Sequence, residues 1–150
     1  MIRDTIKSAQ VTAMKAGDKP RLGAVRLILA KLKDKDIELR TASAVPEDDT
    51  LVVDVLQKMA KQRRESITLY RQGGREELAA AEEAELVVID EFLPQQMGEA
   101  ETRAAIDAIK AELGASSVKD MGKVMAELKA RHGQTLDMSK ASGLVKAALG

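Results

Sequence analysis

Apolar residues recur every three or four positions along most of the chain, with charged and small residues between them. β-Branched residues are a minority and never alternate cleanly with polar ones, so the pattern predicts helices and no sheet. The punctuation divides them. Met1–Lys15 is the first, closed by Gly17. Asp18 can cap the second, with Pro20 in its first turn. Leu22, Val25, Leu29 and Leu32 run along that helix to about Arg40. The loop TASAVPEDD follows, and Asp48 or Asp49 is expected to cap a long helix reaching about Gln72. Gly73-Gly74 breaks it, and Arg75–Leu93 returns as the second arm of a hairpin ended by Pro94.

A boundary falls near residue 96. The reading is an N-terminal helical domain over 1–94, a linker over 95–98 and a C-terminal three-helix bundle over 99–150. The three helices are expected over about 99–113, 117–131 and 137–149. Gly114 stops the first. Ser117 and Asp120 resemble a capping box for the second, and Gly133 follows its last residue, at a typical C′ position. Asp137 caps the third, with Leu136 placed to staple onto Ala141. The fold class is therefore all-α.

Composition sharpens this. Alanine, leucine, glutamate and lysine, all strong helix formers, are abundant in the 150 residues. There is no cysteine and one histidine, which excludes disulfide scaffolds, thiolate zinc sites and cysteine nucleophiles. Tyr70 and Phe92 are the only aromatic residues, too few for base-stacking RNA platforms. Lys+Arg and Asp+Glu both number 24, so no uniform basic coat exists and only local basic patches remain. Apolar runs reach four residues, as in Leu86–Ile89, against roughly 20 for a membrane span. The start MIRDTIKSAQ lacks a signal-peptide apolar core, and a cytoplasmic protein without a membrane contact is expected.

Two segments could carry a function. On the long helix, Val52, Val55, Leu56, Met59, Ile67 and Tyr70 form one stripe, and Arg63 lies inside it. Around it stand Lys58, Lys61, Arg64, Arg71 and Arg75, with Glu65 the only acid between 58 and 75. On the return helix, Leu78, Leu86, Ile89 and Leu93 form the stripe, Glu82 sits within it and Glu85 flanks it. Turning at Gly73-Gly74 brings Arg63 level with Glu82 and Glu85. One reading is a partly buried ion pair fixing hairpin register. The other is a phosphate-binding groove of Arg63 and its basic neighbours.

The second segment is VKDMGKVMAELKARHG. Met121, Val124, Met125 and Leu128 make its apolar stripe; Lys119 and Lys123 point away, with Lys129 and Arg131 to the sides. Gly122 is expected mid-helix on the flank of the stripe, where it costs about 1 kcal/mol relative to Ala, which implies that something approaches its backbone: a neighbouring helix or an RNA backbone. Residues 115–150 carry six Lys and Arg, including Lys140 and Lys146, against three Asp and Glu. His132 is placed to cap a helix C-terminus, and Ser116-Ser117 to cap a helix start rather than act as a nucleophile. Met59, Met121, Met125 and Met138 read as core fillers. No nucleotide loop, metal cluster or catalytic constellation is present, and no cofactor is expected.

The segments RLGAVRLILAKLKDKDIE, VLQKMAKQRRESITLYRQGGREELAAAEEAELVVIDEFLPQQM and DMGKVMAELKARHGQTLDMSKASGLVKAAL resemble the YqeY-like (GatB/YqeY) family essentially end to end. The tail also resembles the C-terminal domain of the B subunit of the tRNA-dependent amidotransferase, through Gly122, Val124, Met125, Gly133 and Asp137. The resemblance implies a larger N-terminal helical domain, a three-helix C-terminal domain and a link to tRNA. In the amidotransferase, that tail is implicated in holding the tRNA body away from the catalytic centre. Neither the kinase-like pocket of that subunit nor the Ser-Ser-Lys set of its amidase partner is matched here. A carbon–nitrogen ligase activity using glutamine would be inherited only by association. The expectation is a non-catalytic accessory protein that binds tRNA or another structured RNA. Lys119, Gly122, Lys123, Lys129, Arg131, Lys140 and Lys146 would make the contact, and the 58–75 cations a second patch. The alternative is an adaptor docking on an amidotransferase or aminoacyl-tRNA synthetase.

Overall fold

A computed structural model describes all residues, 1–150. It contains seven α-helices and no strand: α1 Ile2–Ala16, α2 Lys19–Glu38, α3 Asp48–Gln72, α4 Glu76–Phe92, α5 Glu99–Leu113, α6 Met121–His132 and α7 Met138–Leu149. Short 3₁₀ turns at Leu39–Thr41 and Val118–Asp120 extend α2 and precede α6. No helix is long and apolar enough to cross a membrane. The chain divides into two compact units, Met1–Leu93 and Pro94–Gly150.

The first unit buries Ile6 from α1, Val25, Ile28 and Leu32 from α2, Val52 and Leu56 from α3, and Ile89 from α4. Local chemistry ends and begins these helices. Gly17 turns left-handed at φ 68°, and its N–H and that of Asp18 close α1 on Met14 and Ala13 carbonyls. The Asp18 carboxylate accepts from the Arg21 amide, and Pro20 occupies the first turn of α2. The hairpin turn needs Gly74 at φ 71°, which lets the Arg75 amide reach the Tyr70 carbonyl at 2.7 Å.

Several local expectations fail, each for a tertiary reason. Asp48 and Asp49 lie inside the first turn of α3 and do not cap it. Their carboxylates serve α1 instead: Asp49 accepts from the Ile2 amide at 3.0 Å, and Asp48 accepts from Arg3. On α2 the deepest residues are Val25, Ile28 and Leu32, while Leu22 and Leu29 are half-buried. On α4, Leu78 is 43% exposed and Ala79 is buried in its place. Helical spacing puts Leu78 on the apolar face, but near the hairpin tip no core covers it.

The second unit packs α5, α6 and α7 around Ile106, Ile109, Val124, Leu128, Leu136, Ala141 and Val145. Gly114 closes α5 at φ 63°, and Asp137 caps α7 by accepting from Ser139 and Lys140 amides. Ser117 makes no side-chain cap; the Asp120 carboxylate accepts from the Ser116 amide at 3.1 Å. Gly133 is right-handed, at φ −56° and ψ −29°. Glycine is needed there because a Cβ would stand 2.6 Å from the Lys129 carbonyl oxygen. Residues 95–98, read as a linker, belong to this unit. The Met97 amide donates to the Thr135 carbonyl at 2.7 Å, and the Gln96 side-chain amide donates to the Gln134 carbonyl. One backbone and one side-chain donor there find acceptors on the loop before α7, which ties the segment down.

Candidate nucleic-acid interface

In the α3–α4 hairpin, Arg63 Nε lies 3.1 Å from Glu82 Oε2 and 2.8 Å from Glu85 Oε2. Arg63 and Glu82 side chains are about one-fifth exposed, and the facing Nε and Oε2 atoms are sealed from solvent. The contacts are ionic rather than aligned hydrogen bonds. Most neighbouring cations are also engaged. Arg71 donates to Glu76 and, at 2.5 Å, to Glu83, which pushes its pKa further up. Lys58 pairs with Asp54 on its own helix, and Arg64 lies 3.7 Å from Asp90. Lys61 is exposed but also makes polar contacts. Arg75 remains, exposed beside the turn. The stretch is basic in sequence, but α4 supplies the acids that compensate it.

The tail differs. Val124 and Leu128 point α6 inward, and Met121 and Met125 flank them. The opposite face carries Gly122, Lys123, Ala126, Lys129 and Ala130, all exposed, and Lys119 stands exposed on the 3₁₀ turn just before. No ion pair occupies Lys119, Lys123 or Lys129. Arg131 is the exception: it donates to Glu127 at 2.7 Å and to Glu112 on α5. Those two carboxylates raise the Arg131 pKa, and Arg131 in turn lowers that of Glu112. Arg131 therefore ties α5 to α6 instead of facing outward free.

Gly122 is the second residue of α6, not a mid-helix position, and a Cβ there would meet nothing within 4 Å. No neighbouring helix explains it. On α7, buried Ala141 and Val145 leave Lys140, Gly143 and Lys146 exposed, and Gly143 is equally open. Lys140 shares the lining of a cleft of about 520 Å³ with Glu99 and Asp137, so two carboxylates stand in its surroundings. His132 is half-buried at the end of α6, where its carbonyl accepts from the Thr135 amide and hydroxyl. No group of three or more His, Cys, Asp or Glu residues is arranged to hold a metal ion.

The sequence model of the family described as Yqey-like protein matches residues 3–149. The chain belongs to the YqeY-like family. Among its relatives is "Altered inheritance of mitochondria protein 41, mitochondrial" of Saccharomyces cerevisiae (strain YJM789), 29% identical over 122 residues. That match covers 77% of this chain and 64% of the relative. The protein of the same name from Eremothecium gossypii is 35% identical over 104 residues, 67% of this chain and 55% of the relative. The chain thus spans under two thirds of the length of these family members.

Two features were missed in the sequence. Arg3 donates to both Asp36 and Asp48, which joins the start of α1 to the end of α2 and the start of α3 and raises the Arg3 pKa. Its partners lie 33 and 45 residues away, so no local signal marks them. The other is segmental charge. Residues 1–40 hold ten Lys and Arg against five Asp and Glu, and 41–93 hold six against twelve. Counting charge by helix pair would have found this segregation.

Proposed function

We propose that this family member is a non-catalytic accessory protein that binds tRNA or another structured RNA through its phosphate backbone. The observation that carries the reading is the outward face of α6. Lys119, Lys123 and Lys129 stand there unpaired beside exposed Gly122, Ala126 and Ala130. Small residues let a sugar-phosphate chain approach the helix, and unpaired lysines supply point charges for it. Lys146 and, less strongly, Lys140 extend the same chemistry on α7. With two aromatic residues in the whole chain, the contact would read shape and phosphate rather than base identity. The likeness of the tail to the amidotransferase domain that holds the tRNA body supports the choice of RNA. The 58–75 stretch is a weaker candidate because α4 already neutralises much of it.

A second reading is an adaptor that docks on an amidotransferase or synthetase by helix faces. Leu69 at 67% and Val87 at 61% exposure on the hairpin are apolar side chains that such a partner would cover. Gel-shift binding of tRNA by the Lys119→Glu/Lys123→Glu protein, with pull-down of protein partners in parallel, separates the two. Loss of the shift supports RNA binding by the tail. An unchanged shift removes the tail as the site. No shift by the unaltered protein, with a partner retained by both proteins, favours the adaptor.

A further inference from the structure

On α2, Val25, Ile28 and Leu32 face the core, and the opposite side carries Lys19, Gly23, Arg26, Ala30 and Lys33, all exposed. At 100° per residue these five fall within one narrow stripe, and no acid interrupts it. Arg21 is paired with Glu91, Lys35 with Glu38 and Arg3 with Asp36 and Asp48, while Lys31, on another side of α2, makes no ion pair. Lys19, Arg26 and Lys33 make no ion pair. Gly23 is the fifth residue of a 20-residue helix, where glycine weakens the helix, yet a Cβ there would meet nothing within 4 Å. No packing inside the chain accounts for its small size.

This is the same alternation of free cations and small residues that α6 shows in the other unit. Here it lies on the segment where positive charge has been segregated from the acidic α3–α4 hairpin. We infer that the outward face of α2 is a second RNA-backbone contact, in which Lys19, Arg26 and Lys33 meet phosphates and Gly23 and Ala30 admit the chain between them. The three cations span about 21 Å along the helix axis, long enough to follow several phosphates of one strand. The inference rests on the RNA-binding reading above and adds a site to it.

The test uses the full-length protein and unfractionated tRNA, titrated at several salt concentrations. The Lys19→Gln/Arg26→Gln/Lys33→Gln protein should keep its helical circular dichroism. It should bind about tenfold more weakly, with the slope of log affinity against log salt reduced by about 2–3. Gly23→Leu should fold and bind several-fold more weakly, whereas Gly23→Ala should bind as before with a raised Tm. Unchanged affinity and slope in the triple variant, with Lys119→Glu/Lys123→Glu still impaired, would overturn the α2 contact and leave the tail reading standing. Absence of tRNA binding by the unaltered protein overturns both.

Discussion

Replacing Arg63 by methionine keeps most of the side chain's length and apolar stem but removes its charge. Glu82, one-fifth exposed with Oε2 sealed from solvent, then loses the cation 3.1 Å away, and Glu85 loses the one 2.8 Å away. Removing one partner of a fully buried pair costs about 3–5 kcal/mol, because the remaining charge is stranded. Glu85 is 40% exposed and can turn to water, so the cost here should fall to about 2–3 kcal/mol. In a unit of this size that lowers Tm by roughly 8–24 °C. Removing the stranded charge as well, in Arg63→Met/Glu82→Leu, should recover most of the loss, since apolar replacements of buried pairs are often neutral. Arg64→Met is the control: its partner Asp90 is 3.7 Å away and both side chains are over 40% exposed, so the change should stay below about 0.5 kcal/mol. The assay is thermal and urea unfolding followed by circular dichroism. An Arg63→Met Tm equal to that of the unaltered protein would refute the reasoning. So would a double variant less stable than the single one.

Further outcomes are expected. Gly143→Ala on the open face of α7 should stabilise the second unit by about 0.5–1 kcal/mol in urea unfolding, because the new Cβ meets nothing. Arg131→Ala should lower the Tm of that unit by freeing Glu112 and Glu127, and should weaken tRNA binding less than Lys123→Ala does. Asp90 has its pKa raised by partial desolvation, which the nearby Arg64 offsets in part. A folded pKa above the unfolded one gives stability that is present at acid pH and lost as pH rises through the folded value. Asp90→Asn should therefore be neutral or stabilising at pH 7, and that advantage should vanish below the ordinary carboxylate range. Unfolding free energies at the two pH values check this.

Helix limits were legible where the signal is local. Asp18 and Asp137 cap their own helices through amides two or three residues on, and Gly17 and Gly114 turn left-handed at helix ends. Arg63 facing Glu82 and Glu85 was legible too, because one short turn fixes the register of a hairpin. What was not legible depends on distant chain. Asp48 and Asp49 look like caps until Arg3 and the Ile2 amide take them. Leu78 lies on the apolar face of α4 but beyond the core that would cover it. Charge behaved alike: cations count toward a surface only when unpaired, and Glu83 for Arg71 and Glu112 for Arg131 lie 12 and 19 residues away. The basic stretch at 58–75 therefore reads stronger in sequence than it is in the fold. The α2 stripe reads weaker, because acids elsewhere in the chain balance it in the overall sum.

The most direct test of RNA binding by this family member compares tRNA with a DNA hairpin of matched length by fluorescence anisotropy, at low and physiological salt. The account predicts micromolar tRNA binding that weakens steeply with salt, exceeds binding to the DNA hairpin, and is weakened in Lys119→Glu/Lys123→Glu. Equal binding to both nucleic acids, or none even at low salt, would contradict it.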